Sequence, residues 1–301
     1  MPINGVLPVI PTPFREGVFD EQGFERLLEH MLPFVDGYTL MGSTGEAPSL
    51  TDVDRRAIVG RALTMTPADK TVVVGVSHTS SKAAAELARH AQENGARGVL
   101  SCAPFYFPNT PGGILEYLRP LDLALEVDLV FYDNPVTTKT QVQAPWVVEW
   151  AGELERLTAV KLTDHDIGKI AVWREAGLNV LAGDDAILSQ YLAAGVDGAM
   201  VIAPALLPAS FAAVWSRLGG GDLDGALDIF SRELTPVLHA FGIGNEIATT
   251  KVLLADLGIF SSEELQAPLR QIDPARRRQL RQAWEVGHAA AERREHDEVP
   301  A

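Results

Sequence analysis

Along the first two-thirds of this chain, apolar and polar positions repeat one order: a short apolar run, a turn, then a longer stretch with apolar residues at helical spacing. Val6 to Ile10 is an apolar run closed by Pro11-Thr12-Pro13, and from Asp20 to Phe34 the residues Phe24, Leu27, Leu28, Met31 and Leu32 recur at i, i+3 and i+4. That reads as strand, loop, helix. Gly37 to Met41 is the next run, followed by the Gly42-Ser43-Thr44-Gly45 turn and a helix from Thr51 with Asp52 and Asp54 in its first turn, where carboxylates suit the helix dipole. Thr71 to Val76 precedes a helix from Ser80 to Asn94 that stops at Gly95, a glycine placed as a C-cap. Further strands are predicted at Gly98 to Cys102, Asp128 to Tyr132, Leu157 to Lys161, Asn179 to Ala182 and Gly198 to Ile202. The helices between and after them are predicted at Gly113 to Leu125, Pro145 to Ala151, Ile167 to Ala176, Ala186 to Ala194 and Pro208 to Leu218. About eight strand-helix units result, the number a closed (β/α)8 barrel requires.

The rival α/β arrangement is an open doubly wound sheet, which carries a Gly-rich phosphate loop after an early strand; no such loop occurs. After Gly219-Gly220-Gly221 the strand pattern ceases. Asp222 to Phe241, Glu246 to Leu257 and Pro274 to Ala291 read as helices, with Arg276-Arg277-Arg278 and the tail from Glu292 to Glu298 as solvated or disordered ends. The predicted fold is therefore α/β, a TIM barrel over 1–218 with a C-terminal helical extension over 219–301.

Composition narrows the partners more than the fold. Forty acidic against 25 basic side chains give a formal charge of −15, which argues against nucleic acid or an anionic membrane as partner. No stretch is apolar for long enough to span a bilayer, and the start, Met1 to Pro8, lacks the basic and apolar regions of a signal peptide. The single cysteine, Cys102, excludes an intramolecular disulfide and reads as a small buried residue in a reducing compartment, so a cytoplasmic protein is expected.

Candidate chemistry gathers just after the predicted strands, which in a barrel is the catalytic face. The run Leu157-Thr158-Ala159-Val160-Lys161 carries a lysine out of the core at the strand's end. A partly desolvated amine there has a lowered pKa and becomes a nucleophile able to form a Schiff base with a carbonyl. The alternative is a lysine that reaches the surface and pairs with Asp164 or Asp166. Ser43 and Thr44, flanked by glycines, suit a small anion such as a carboxylate, although the same four residues also make an ordinary turn. Tyr132 ends the fifth strand, where a phenol could move a proton or simply pack. Gly183-Asp184-Asp185 follows the seventh, a place for close backbone approach and for a carboxylate to hold a substrate hydroxyl, or for a helix N-cap. The seven histidines, His30, His78, His90, His165, His239, His288 and His296, are scattered without ligand spacing on one helix, so no metal site is expected. His78 and His165 fall near the catalytic face; His30 and His90 fall inside helices.

These motifs, Gly42-Ser43-Thr44-Gly45-Glu46, Pro104-Phe105-Tyr106, Tyr132-Asp133-Asn134-Pro135, Val160-Lys161 and Gly183-Asp184-Asp185, resemble in order and spacing those of the dihydrodipicolinate synthase and N-acetylneuraminate lyase superfamily. The resemblance spans nearly the whole chain. It implies a barrel enzyme in which Lys161 forms a Schiff base with pyruvate or a longer 2-oxo acid, Ser43 and Thr44 bind the carboxylate, Gly183 lies near the intermediate and Tyr132 is the general acid/base. It also implies that Tyr106 enters the site of a neighbouring subunit and completes a hydroxyl relay with Thr44 and Tyr132, in a homotetramer built as a dimer of dimers. No external cofactor is implied.

Departures from the motifs bear on the substrate. Where the synthase branch carries an arginine two residues past the proline, this chain has Thr137; the next base, Lys139, lacks the planar fork. Leu162 replaces the acidic residue that follows the synthase lysine, whereas Thr163 resembles a substrate-contacting threonine of the neuraminate lyase branch. Phe105-Tyr106-Phe107-Pro108 resembles the 2-keto-3-deoxygluconate aldolases, and Asp133 stands where most members have asparagine. The expected activity is aldol cleavage or condensation, or dehydration, of a 2-keto-3-deoxy sugar acid, with Asp185 and Thr163 as substrate contacts. The alternatives are 4-hydroxy-tetrahydrodipicolinate synthase and a non-catalytic 2-oxo-acid binding protein.

Overall fold

Eight short parallel strands follow one another around a sheet whose two ends meet. They are β1 (Gly5–Val6), β2 (Gly37–Leu40), β3 (Thr71–Gly75), β4 (Gly98–Cys102), β5 (Asp128–Asp133), β6 (Leu157–Leu162), β7 (Asn179–Ala182) and β8 (Gly198–Ala199). Each from β2 onward pairs with the next in chain order, and β8 pairs with β1. The circle closes where Val9 bridges Thr39 beyond the end of β1. The computed structural model describes residues 3–241 and 246–298. Helices separate the strands along the chain: α1 (Glu21–Met31), α2 (Asp52–Thr64), α3 (Ser81–Glu93), α4 (Pro111–Ala124), α5 (Ala144–Glu153), α6 (Gly168–Glu175) and α7 (Leu188–Ala193), with α8 (Pro208–Gly219) after the last strand. This is the (β/α)8 barrel that the alternation predicts.

By contact density the chain forms two units, one of residues up to Ile10 with Asp36–Val201, the other of Pro11–Val35 with residues from Ile202 onward. The first unit holds all eight strands. Their residues are buried on both faces, as parallel strands flanked by helices are, which is why they read as continuous apolar runs. Two tryptophans anchor helices here: Trp150 meets Phe131 of β5 edge-on at 5.3 Å, and the Trp173 indole N–H donates to the Ala144 carbonyl at 3.0 Å. Thr51 and Ser80 cap α2 and α3 through their side-chain oxygens, contacts worth about 1 kcal/mol each.

Three expectations need correction. The ladder of β1 is only Gly5–Val6, because Pro8 has no N–H to donate; the predicted run to Ile10 persists as single bonds, Leu7 N–H to Ala199 O, Val9 N–H to Val201 O and Ile10 N–H to Thr39 O. In the second unit, Asp222 to Phe241 is not one uniform helix: a π-helical turn, Phe230–Leu234, lies between Leu223–Ile229 and Thr235–Phe241. Pro236 cannot donate to the carbonyl four residues back, and the wider turn, with Thr235 N–H on Phe230 O, accommodates it. The tail from Glu292 is helical as well, continuing Pro274–Glu298 without a break. It is held by Arg294, whose Nε donates to the buried Glu233 at 2.8 Å, while Arg277 pairs with Asp256 and Glu263.

Candidate active site

The site lies in the first unit, at the C-terminal ends of β5, β6 and β7. Lys161 is the next-to-last residue of β6 and only 5 % exposed, so the apolar run delivers its amine inside the barrel mouth rather than to the surface. Register pairs Lys161 directly with Tyr132 of β5. Its Nζ sits 4.3 Å from the centre of the Tyr132 ring, within the range where a ring face attracts an ammonium. The competing expectation, a surface pair with Asp164 or Asp166, is not what forms. Asp164 is taken by Lys169, and Asp166 accepts from the Gly168 N–H at 3.1 Å.

Tyr132 is oriented from behind by Asn134. The Asn134 Oδ1 accepts from the Thr137 N–H at 3.1 Å, capping the one-turn helix Pro135–Thr138, and this fixes which end of the amide faces the phenol. Nδ2 therefore donates to the Tyr132 hydroxyl at 2.9 Å. A donor on the phenol oxygen leaves the phenol's own hydrogen to point elsewhere.

Beyond Tyr132 the chain buries a group of charges. Asp133 is fully buried, and its Oδ2 accepts from Lys169 Nζ at 2.8 Å. The same ammonium reaches Asp164, which also accepts from Gln141, and the Asp164 carbonyl accepts from the Tyr191 hydroxyl at 2.9 Å. Burial pushes the Asp133 carboxyl up to about 6, against the opposing pull of Lys169. Burial likewise holds the Tyr191 phenol well above its ordinary value, with nearby carboxylates adding to the effect.

The remaining expected residues distribute as follows. Thr163 and Gly183 come together: the Thr163 hydroxyl donates to the Gly183 carbonyl at 3.2 Å, and a Cβ on Gly183 would stand 2.5 Å from Thr163 Oγ1 and 2.6 Å from the Leu162 carbonyl. Only glycine permits that approach. Asp184 is the residue that caps, accepting from Ala186 N–H at 2.9 Å, and it also meets His165 Nε2 at 3.0 Å; Asp185 opens the following turn and is half-buried. Ser43 and Thr44 lie in the loop after β2, Thr44 buried and Ser43 exposed. That loop leaves the strand through Met41 in the left-handed region (φ 56°), and Gly75 makes room for its carbonyl, since a Cβ there would be 2.1 Å away. His78 accepts from the Ser80 N–H at 2.9 Å. Tyr106 stands 69 % exposed, its ring edge-on to Phe107 at 4.8 Å and 5.9 Å from Lys139 Nζ.

Asn134, Lys169 and Gln141 are neighbours of the candidate site to which the sequence pattern gives no role, and Asp164, expected as a surface partner of Lys161, pairs with Lys169 instead. Asn134 carries a signal, because an Asn before Pro at a strand's end is a ready cap. Lys169 and Gln141 become notable only once the fold brings them to Asp133 and Asp164 respectively.

The sequence model of the Dihydrodipicolinate synthetase family matches residues 2–286. The chain belongs to this family. Among relatives, the 4-hydroxy-tetrahydrodipicolinate synthase of Syntrophobacter fumaroxidans is 28% identical over 283 residues, 93% of this chain and 97% of that one. The enzyme of the same name from Methanoculleus marisnigri is 29% identical over 287 residues, 92% of this chain and 97% of that one. The solved 4-hydroxy-tetrahydrodipicolinate synthase of Methylacidiphilum fumariolicum shares the fold, with a TM-score of 0.92 at 23% identity over 98% of this chain and 99% of that one. As a member of the dihydrodipicolinate synthetase family, the chain is an enzyme, a Schiff-base lyase on a TIM barrel. Among the described residues, no helix is long and apolar enough to cross a membrane.

Proposed function

We propose that Lys161 forms the imine with pyruvate or a longer 2-oxo acid and that the enzyme cleaves, forms or dehydrates a 2-keto-3-deoxy sugar acid. The observation that carries this reading is the buried Lys161 amine set 4.3 Å from the Tyr132 ring on the neighbouring strand. In the cleavage direction, the unprotonated amine adds to the keto carbon and the resulting hydroxyl leaves as water with the proton of the Tyr132 phenol, which becomes a phenolate. The protonated imine then accepts the electron pair of the breaking carbon-carbon bond as an enamine, while the hydroxyl on the carbon being released gives its proton to the Tyr132 phenolate and becomes an aldehyde carbonyl. Returning that proton to the enamine carbon and hydrolysing the imine release pyruvate and restore Lys161. Asn134 supports this role of Tyr132, because its N–H stabilises charge on the phenol oxygen. Ser43 and Thr44 hold the 2-oxo acid carboxylate, a positioning effect; Thr163, Gly183 and Asp185 face the rest of the substrate. The barrel, 1–218, is the catalytic domain and 219–301 the helical extension.

A sugar-acid substrate is favoured by the charges around β6 and β7. Lys169 is committed to two carboxylates and Lys139 stands by the Tyr106 ring, while Asp184 and Asp185 lie beside Thr163 and Gly183. Hydroxyls suit such a surface better than a second carboxylate does. The second reading, 4-hydroxy-tetrahydrodipicolinate synthase, is favoured by the names of the relatives. Tyr106 completes the site of a neighbouring subunit in a homotetramer, and the enzyme works in the cytoplasm.

Borohydride reduction in the presence of pyruvate, with the modified peptide located by mass spectrometry, tests the central claim. An adduct on Lys161 is expected. Pyruvate binding without any adduct, unaffected by Lys161→Ala, would instead make the chain a binding protein. Pyruvate release from a 2-keto-3-deoxy sugar acid, against condensation of pyruvate with aspartate semialdehyde, separates the two catalytic readings.

A further inference from the structure

Lys169 is a buried ammonium close to the proposed chemistry that the imine mechanism leaves without a task. It enters from the first turn of α6, is 3 % exposed, and is shared between Asp133 and Asp164. Asp133 directly follows Tyr132, and Asp164 lies three residues past Lys161. The Asp133 carbonyl also accepts from the Thr163 N–H at 2.9 Å, so the chain just beyond the Tyr132–Lys161 pair is joined both through its backbone and through this ammonium. One oxygen of the group is left over: among the described residues Asp133 Oδ1 is buried with no hydrogen-bond partner.

A purely structural ion pair explains this arrangement poorly. Two buried carboxylates on one ammonium retain a net negative charge, and an unbonded carboxylate oxygen adds a desolvation penalty; a well-packed apolar trio of similar volume would be at least as stable. What the charges supply that apolar groups do not is direction. Lys169 ties the end of β5 and the loop after β6 to one point, and those two segments carry the phenol and the amine.

We propose that Lys169 is a positioning residue of the active site, clamping Asp133 to Asp164 so that Tyr132 and Lys161 are held in reacting register, and that the clamp is set by the ionisation of Asp133. The proposal rests on the imine reading of Lys161. Below the Asp133 pKa the carboxyl is neutral, the Asp133–Lys169 bond loses its ionic part and the clamp loosens; above it the clamp is tight. The groups that face Asp133 are Lys169 on α6, Asp164 and Asp166 in the loop after β6, and Tyr191 on α7. Burial is the largest influence on this carboxyl and places its titration near pH 6, inside the working range of an enzyme.

The test is the rate of borohydride trapping of the pyruvate imine on the full-length protein across pH 5 to 9, for wild type, Lys169→Met, Lys169→Arg and Asp133→Asn, with the folded fraction of each followed by circular dichroism. Wild type is expected to trap on Lys161 with a rate that falls below about pH 6. Lys169→Met should trap about 10- to 100-fold more slowly per folded molecule at saturating pyruvate, the effect of a small misplacement of reacting groups. Lys169→Arg should recover most of the rate. Asp133→Asn, which keeps the side-chain volume but is neutral at every pH, should trap at the slowed, acid-side level without the step near pH 6, and it keeps the test decisive if Lys169→Met does not fold. Wild-type rate and pH profile in both Lys169→Met and Asp133→Asn would overturn the proposal while leaving the imine reading intact. No adduct on Lys161 in wild type would overturn both.

Discussion

Tyr132 and Lys161 are direct partners across the β5–β6 ladder, and the lysine's amine rests against the face of the tyrosine's ring. Strand register alone therefore sets the proposed acid/base beside the proposed nucleophile, independently of any loop. A one-residue slip would turn one of the two away from the barrel mouth.

Tyr132→Phe keeps the ring against Lys161 and removes only the hydroxyl. Loss of about 100- to 10,000-fold in kcat is expected, with a smaller change in KM, because proton transfer is lost while substrate positioning remains. Stability should fall by only about 1 kcal/mol, the worth of the bond from Asn134. Steady-state pyruvate release and a urea titration give the two readings. A variant with undiminished kcat would remove Tyr132 from the mechanism.

Asn134→Asp separates the two tasks of that side chain. A carboxylate still accepts from the Thr137 N–H and caps the one-turn helix, but it has no N–H for the phenol. The helix should persist by circular dichroism, and kcat should drop by about tenfold or more, since a negative oxygen now faces the Tyr132 oxygen. An unchanged kcat would show that the donor plays no part.

The strand-end positions of Lys161, Tyr132 and Gly183, and the loop position of Ser43 and Thr44 after β2, are legible in the sequence, because each ends or closely follows an apolar run. Helix boundaries differ from the expected ones by a few residues, which leaves the mouth unchanged. Lys169 is not legible in this way. Its meaning depends on Asp133, 36 residues earlier, and in sequence it is simply a lysine near a helix start. The helical tail is hidden for the same reason: the Arg294–Glu233 pair links residues 61 apart, and local composition gives the tail only charge. Asp133 is visible as a departure from the family's motifs, though the motif holds no hint of its partner.

Asp133 also makes stability depend on pH, in the sense opposite to an ordinary salt-bridged carboxylate. Its pKa is raised from 3.8 to about 6 in the folded state, so between those values the native protein binds the proton and the unfolded chain does not. Stability contributed by this group is then greatest in acid and falls as pH rises from about 4 to about 6, by at most about 3 kcal/mol at ~1.4 kcal/mol per pH unit. Asp133→Asn should flatten that segment in urea titrations from pH 4 to 7. Lys169→Met should destabilise more, by about 3–5 kcal/mol near neutral pH, because it leaves two buried carboxylates without their cation. If Asp133→Asn has the wild-type slope, the carboxyl titrates elsewhere.

Gly183→Ala tests the close approach beside the site. The added methyl would meet Thr163 Oγ1 and the Leu162 carbonyl inside contact distance, and the carbonyl belongs to a strand that cannot easily give way. A loss of about 1–3 kcal/mol is expected, together with a fall in kcat, since Leu162 adjoins Lys161. Gly95→Ala, at φ 100° with open space around its Cβ, should lose stability through backbone strain yet keep kcat. Parallel loss of kcat in both would mean that activity merely follows stability.

Tyr106 is expected to act in a neighbour's site, and mixing two impaired variants can decide this. Lys161→Ala lacks the nucleophile in every subunit, and Tyr106→Phe lacks the relay hydroxyl in every subunit. If the hydroxyl serves the opposite subunit, a dimer with one chain of each kind holds one intact site, with its lysine from one chain and its tyrosine from the other. Random reassociation of equal amounts then restores about a quarter of wild-type turnover per chain, half of the dimers being mixed and half of their sites intact. The exposure of the Tyr106 ring in the single chain, beside Phe107 at 70 % exposure, supplies the surface such an exchange needs. Sedimentation of the mixture confirms that the subunits have associated. Activity no higher than the sum of the two separate variants, in a mixture that has exchanged subunits, would confine the action of Tyr106 to its own chain.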